Sequence, residues 1–197
     1  MKYYSTNHQS PVASLEEAVV KGLASDKGLF MPEAVKMLPE EFYDNIEHLS
    51  FQEIAYRVAD AFFGEDIPAD TLKQIVYDTL SFDVPLVKVA DNIYSLELFH
   101  GPTLAFKDMA LQLLPHLTTL SAKKNGENRE VAILVATSGD TGKAALEGFK
   151  DVPGTSCTVF YPTDGVSDVQ KLQMTTTGGE NTHVIAPVSY THLRAHE

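Results

Sequence analysis

Cysteine and tryptophan are scarce in this sequence: its 197 residues include one cysteine, Cys157, and no tryptophan. A single cysteine excludes a disulfide within the chain and favours a reducing compartment, so we predict a cytoplasmic protein. Cys157 lies in the strand-like segment GTSCTVFYP. Because a cysteine in an apolar strand is typically a small buried residue, we predict a core residue there and not a nucleophile.

Positive charge is also in short supply, with 15 lysines and arginines against 27 aspartates and glutamates and a net charge of -12. Such a chain cannot assemble the basic face that nucleic acid or an anionic membrane surface requires, so we expect neither as a partner. No apolar run approaches the length of a membrane span, and the first segment, MKYYSTNHQSPVA, has no continuous apolar core. A small anionic ligand is still compatible with this charge, because local backbone N–H groups and one or two cations can bind it.

Residues 1–85 have a mainly helical pattern. Ser14 and Ser50 each precede a segment with helical apolar spacing and have a glutamate three residues further on, so both are predicted helix N-caps. The segment PADTLKQIVYDTL predicts another helix, and a short one is predicted near Pro39. We therefore predict a mostly helical N-terminal domain over residues 1–85.

From residue 86 onward, strand and helix patterns alternate. The strand-like segments EVAILVA, GTSCTVFYP and NTHVIAP are separated by helical ones, and Pro115 predicts a kink or an early turn in the helix FKDMALQLLPHLTTLSAKK. Apolar strands that alternate with helices are typical of a parallel sheet with helices on both faces. The predicted fold class is α/β, with residues 86–186 forming the first part of a parallel-sheet domain. An α/β sheet that ends after roughly three strand–helix units would expose an apolar edge, so we expect the sequence to be a fragment.

Lys107 is the first candidate for chemistry, because it directly follows an apolar run in the segment ELFHGPTLAFKD. We predict a turn over residues 100–103 with Thr103 as an N-cap, which places Lys107 in the first turn of a helix. The helix dipole and desolvation by Leu104 and Phe106 are both expected to lower the pKa of this lysine. A neutral amine can form a Schiff base with an aldehyde. The alternative is a lysine whose stem lies along apolar surface and whose ammonium reaches water.

The loop ATSGDTG, residues 136–142, is the second candidate and follows a continuous apolar strand. A glycine-rich turn between a strand and a helix presents N–H groups and hydroxyls that can bind carboxylate or phosphate. Asp140 is an unusual choice for anion binding alone, so we expect it to have a separate partner. Because the loop matches neither G-x-G-x-x-G nor G-x-x-x-x-G-K-[ST], a purely structural turn is an equal alternative for this stretch by itself.

Together, the two segments are far more specific than either alone. ELFHGPTLAFKD followed by ATSGDTG resembles the threonine synthase family, pyridoxal-phosphate enzymes of the tryptophan synthase β-like fold type. The segments YYSTN, GLASDKGLFMPE, SFQEIAYRV, VPLVKV and VSDVQKLQM are also similar to the N-terminal half of that family, so the resemblance covers residues 1–186. It implies a threonine synthase N-terminal domain at residues 1–85 and a partial domain for pyridoxal 5'-phosphate (PLP) at residues 86–186.

The resemblance also implies which residues form the site. Lys107 corresponds to the lysine that holds PLP covalently and then serves as general base and acid. The turn that lies beside the cofactor ring and receives the substrate carboxylate corresponds to Ser138, Gly139, Asp140, Thr141 and Gly142. Phe106 and Asp108 are expected to pack and orient the lysine, and His100 is expected to stabilise the turn.

The implied reaction, in threonine biosynthesis, converts the small molecule O-phospho-L-homoserine and water into L-threonine and phosphate. Two alternatives stay open: a similar PLP-dependent lyase for another phosphorylated hydroxy amino acid, and a degenerate homologue without activity. We expect the chain by itself to be inactive and to retain PLP weakly, because the family's loop for the cofactor phosphate lies further downstream. The sequence does not indicate an oligomeric state.

Residues 187–197, PVSYTHLRAHE, show neither a helical pattern nor a capping signal and depart from the family. We therefore predict a non-native tail. His192 and His196 have the i, i+4 spacing of a metal-binding pair, but no third ligand accompanies them, so we expect no metal site.

Overall fold

The computed structural model describes residues 1–137, 139–163 and 165–186, so the predicted non-native tail and its two histidines lie outside the described residues. The chain forms two compact units. The first contains Met1–Ser81 and His116–Asn128, and the second contains Phe82–Pro115 and the residues from Arg129 onward. Within the described ranges, no helix combines the length and the apolar character needed to cross a membrane.

The first unit contains a small antiparallel sheet that the sequence analysis did not predict. Its strands are β1 (Lys2–Ser5), β2 (Ala13–Ser14) and β3 (Phe30–Pro32), in the order β2-β1-β3. Strands of this length contain too few residues to show a reliable alternation of apolar and polar positions. The sheet therefore depends on pairing between distant segments and not on a local signal.

The helices of the first unit follow the predicted capping signals. They are α1 (Leu15–Lys21), α2 (Glu40–Asp44), α3 (Phe51–Phe63) and α4 (Ala69–Thr79), with a 3₁₀ turn at Ile46–His48. Ser14 and Ser50 each accept a hydrogen bond from the N–H of the glutamate three residues on, at 3.2 Å in both cases. Both glutamate carboxylates in turn accept a hydrogen bond from the cap N–H, so the two predicted capping boxes are confirmed.

The second unit begins with the antiparallel hairpin of β4 (Leu86–Ala90) and β5 (Ile93–Leu96). Two helices follow, α5 (Asp108–Leu111) and α6 (Leu114–Lys124). Pro115 is the second residue of α6, where a missing N–H is tolerated, and the break before it confirms the predicted kink or early turn. The residues of α6 from His116 onward belong to the first unit.

A parallel sheet forms the core of the second unit, as the sequence predicted. It contains β6 (Val131–Ala136), β7 (Thr155–Phe160) and β8 (Thr182–Ile185), in that order, with α7 (Asp140–Phe149) and α8 (Asp168–Thr175) as crossovers. The α/β fold class is therefore confirmed. Cys157 is fully buried in the cluster that joins this sheet to α7 and α8, which confirms the prediction of a core residue.

The prediction of helices on both faces of this sheet is wrong for the described residues. Phe149 of α7 and Met174 of α8 pack on the same side, against Cys157 and Val159 of β7. Leu134 of β6 points to the opposite face and is 71% exposed. Consecutive right-handed crossovers that advance in one direction place their helices on one face, which explains the arrangement.

Candidate functional site

Asp108 fixes the turn that leads to Lys107. Its carboxylate is fully buried and accepts two hydrogen bonds from Thr103, one from the backbone N–H at 2.8 Å and one from the hydroxyl at 2.7 Å. Gly101 lies against the same carboxylate so closely that an added Cβ would be 2.5 Å from Oδ2. The turn therefore requires a glycine at residue 101 for steric reasons. It also requires a buried carboxylate at residue 108 to accept the two hydrogen bonds that Thr103 donates.

Lys107 directly precedes α5, and its carbonyl oxygen accepts the N–H of Leu111 at 2.9 Å. The predicted N-cap at Thr103 is wrong, because both polar groups of that residue bind Asp108 and the helix begins five residues later. The prediction that Lys107 lies within the first helical turn is wrong by one residue. The lysine is the N-cap residue, directly before the first residue of α5.

The side-chain environment of Lys107 also differs from the prediction. Leu104 and Phe106 are 69% and 57% exposed, so they do not bury the lysine as predicted. The turn instead directs Thr103 and Asp108 inward and leaves Leu104 and Phe106 at the surface. Lys107 is half-buried, and its Nζ lies 4.7 Å from the centroid of the Phe106 ring, a contact that attracts an ammonium. The amine is accordingly accessible to a ligand.

His100 makes contacts that stabilise the turn, in keeping with the sequence-based expectation. Its Nε2 lies 2.7 Å from the carboxylate of Glu97. Its ring stacks on Phe99 with the centroids 4.8 Å apart. Both contacts hold the segment that enters the turn, while Asp108 holds the segment that leaves it.

Thr137 and Gly139 lie between β6 and α7, and together with residues 140–142 of the first turn of α7 they form the described part of the candidate loop. Thr137 is buried, and its hydroxyl oxygen accepts the N–H of Gly139 at 3.2 Å. Asp140 and Thr141 are exposed at the start of α7, where their side chains are open to a ligand. Ser138, the remaining hydroxyl of the predicted site, lies outside the described residues.

Gly142 has a packing role in this structure. It is buried, and an added Cβ would lie 2.3 Å from Cγ2 of Thr137 and 2.9 Å from Cγ1 of Val159. Its N–H donates to the carbonyl of Gly139 at 3.0 Å. The glycine therefore lets the first turn of α7 approach the sheet.

The structure places both candidate segments in the second unit, where α5 packs against α7. An added Cβ at Gly148 of α7 would lie 2.2 Å from the carbonyl oxygen of Leu111 in α5. The helix that directly follows Lys107 and the helix that directly follows Gly139 are therefore in contact.

Gln170 is a residue that the sequence analysis did not identify. Its side-chain amide donates to Asp140 at 3.3 Å, which supplies the separate partner expected for that carboxylate. The local sequence shows Gln170 only as the third position of a capping box after Ser167. No signal along the chain connects it with a loop that is 30 residues away.

Comparison with known proteins places these features in a family. A family model described as the threonine synthase N terminus matches residues 2–80. The chain is 42% identical over 191 residues to threonine synthase of Pseudomonas aeruginosa, covering 94% of this chain and 40% of that protein. It is 40% identical to threonine synthase of Schizosaccharomyces pombe, covering 94% of this chain and 38% of that protein.

The fold agrees with the sequence comparison. The structure matches the crystal structure of PLP-bound threonine synthase from Brucella melitensis with a TM-score of 0.87 and 38% identity. That match covers 94% of this chain and 41% of the other, and the chain spans a similar share of the curated relatives, 40% of the first. The resemblance found in the sequence is thus confirmed: over the part of those enzymes that it spans, the chain is similar to threonine synthases in sequence and in fold.

Proposed function

We propose that the protein carrying this chain is a threonine synthase that converts O-phospho-L-homoserine and water into L-threonine and phosphate with the help of PLP. Similarity to threonine synthases over 94% of this chain supports the proposal, and one of the matched structures is described as PLP-bound. The observation that carries it is the accessible Lys107, held at the start of α5 by the turn that Asp108 fixes.

The residues present fit the aldehyde end of PLP. Lys107 offers a half-buried primary amine on a turn with little freedom, which is the group that binds an aldehyde covalently. Bound PLP supplies an electron sink for a carbanion at the substrate's α or β carbon. The group that would hold the cofactor phosphate is not among the residues we assign.

The chain's own residues have separate roles in this proposal. Lys107 would hold the aldehyde carbon of PLP and release it to the substrate amine, and its Nζ would then remove and return protons at the substrate carbons. The loop of Ser138, Gly139, Asp140, Thr141 and Gly142 receives the substrate carboxylate at the start of α7. Asp108 acts from within the protein, because it is fully buried and positions the turn rather than the substrate.

The domain assignment and the compartment are part of the same proposal. Residues 1–85 form the family's N-terminal domain, and residues 86–186 form part of its PLP-binding α/β domain. The cytoplasm is our proposed compartment, because a chain with one cysteine suits a reducing environment.

The test is product analysis with the complete protein that carries these residues. We expect L-threonine and phosphate in equal amounts from O-phospho-L-homoserine in the presence of PLP. Lys107→Ala should lower the rate by more than about a hundredfold. The matched control is Lys88→Ala, which removes an exposed lysine that pairs with Asp91 in the hairpin of the same unit; it should leave the rate unchanged.

Other outcomes distinguish the alternatives. Turnover of a different phosphorylated hydroxy amino acid in preference to O-phospho-L-homoserine would replace the proposed substrate. Binding of PLP without turnover of either compound would instead favour a degenerate homologue.

A further inference from the structure

We propose that Gln170 is a positioning residue that holds residues 139–142 of the loop in place through Asp140 and Gly139. This inference rests on the proposed function only in treating the loop as the part that receives substrate. The contact between Gln170 and the loop is a feature of the fold itself.

The orientation of the Gln170 amide is set from within α8. Its Oε1 accepts the hydroxyl of Ser167 at 3.2 Å and the backbone N–H of Ser167 at 3.4 Å. The backbone N–H of Gln170 donates in return to the Ser167 hydroxyl oxygen at 3.3 Å. Because these contacts occupy the amide oxygen, the amide nitrogen must face the loop.

Two contacts join that nitrogen to the loop. It donates to Oδ1 of Asp140 at 3.3 Å. It also lies so close to Gly139 that an added Cβ there would be 2.5 Å away. A Cβ at residue 139 would therefore push the end of the Gln170 side chain away from its present position.

The helix that carries Gln170, α8, is anchored in the core of the second unit. Met174, one turn further along α8, is fully buried in the core cluster of the second unit. A side chain on such a helix restrains a loop more effectively than a side chain on another loop.

The restraint matters for an anionic ligand. The N–H groups at the start of a helix stabilise negative charge, and an acidic side chain in the first turn competes for them. Gln170 holds the exposed carboxylate of Asp140 toward α8. In that position the Asp140 carboxylate does not compete with the substrate carboxylate for the positive end of the α7 dipole.

The decisive variant is Gln170→Glu. Glutamate is an accepted third residue of a capping box, so the start of α8 keeps its contacts with Ser167. The variant loses the N–H donor and brings a second carboxylate against Asp140. We expect the amide hydrogens of residues 139–141 to exchange about tenfold faster, with the melting temperature of the protein unchanged.

A double variant that swaps the amide and the carboxylate should restore the contact. In the double variant Gln170→Glu/Asp140→Asn, an amide donates to a carboxylate in the reverse direction, so the slow exchange of residues 139–141 should return. The matched control is Gln173→Ala, which removes a second glutamine from the same helix. It should leave exchange in the loop unchanged.

Unchanged exchange in Gln170→Glu would overturn the proposal, as would faster exchange spread equally along α8. Hydrogen exchange is measured without cofactor or substrate, so its outcome does not depend on the proposed function. In the complete protein, Gln170→Glu should raise KM for O-phospho-L-homoserine more than it lowers kcat. Faster hydrogen exchange in the loop together with an unchanged KM would contradict a positioning role toward the substrate.

Discussion

Thr103 donates both its backbone N–H and its hydroxyl to the single carboxylate of Asp108, at 2.8 and 2.7 Å. Both residues are buried, whereas Leu104 and Phe106 between them are exposed. The pair closes a turn whose outer surface carries Lys107. The position of the lysine therefore depends on a buried polar contact and not on an apolar pocket.

Removal of that contact should weaken both the fold and the site. Asp108→Ala leaves the N–H and the hydroxyl of Thr103 buried without an acceptor, so we expect a loss of about 2–3 kcal/mol in the free energy of unfolding. Urea unfolding measures this loss. The control Asp91→Ala removes an exposed acid whose partner is Lys88, and should cost less than about 0.5 kcal/mol. Equal losses in the two variants would contradict the role of Asp108.

Gly142→Ala should destabilise the second unit by about 1–3 kcal/mol, because the added methyl group would collide with Thr137 and Val159. Thr137→Ser removes Cγ2, the atom 2.3 Å from that methyl group, and retains the hydroxyl oxygen that accepts the N–H of Gly139. The double variant should therefore be more stable than Gly142→Ala alone. If Thr137→Ser brings no recovery, the packing role of Gly142 is wrong.

Ionisation of the Cys157 thiol should lower the free energy of unfolding at alkaline pH. Burial raises the pKa of its thiol from 9.0 to about 11. A raised pKa means that the folded state favours the neutral thiol. The stability that this preference contributes is fully present below about pH 9 and is lost as the pH rises through about 11. At pH 11 the loss is up to about 2–3 kcal/mol.

The comparison with Cys157→Ala isolates this effect, because Tyr3, whose pKa burial raises to about 12, is present in both proteins. Unfolding free energies measured from pH 8 to pH 11 should fall more steeply in the parent protein. Parallel pH profiles would show that the thiol is not buried as described. A thiol reagent should likewise modify Cys157 only after unfolding.

Local signals were sufficient to predict much of this fold from its sequence. Ser14 and Ser50 start helices because a capping box is complete within four positions of the chain. The parallel sheet was predictable because its strands are apolar and alternate with helices. The three-stranded sheet of the first unit was not, because its short strands pair across distant segments.

The site was harder to predict than the fold. The surroundings of Lys107 were predicted wrongly, because Leu104 and Phe106 were expected to desolvate the lysine and are instead exposed. Burial of Asp108 depends on Gly101 and Thr103 meeting it in three dimensions. The contact between Gln170 and Asp140 likewise spans 30 residues and has no local signature.

The central claim is that Lys107 is the amine that binds PLP, and borohydride reduction tests it most directly. The protein is mixed with an equimolar amount of PLP and reduced, and its peptides are mapped. We predict that the label is found on Lys107 before any other lysine, and that Lys107→Arg abolishes it. Label on exposed lysines such as Lys88 in place of Lys107, or label undiminished in Lys107→Arg, would contradict the account.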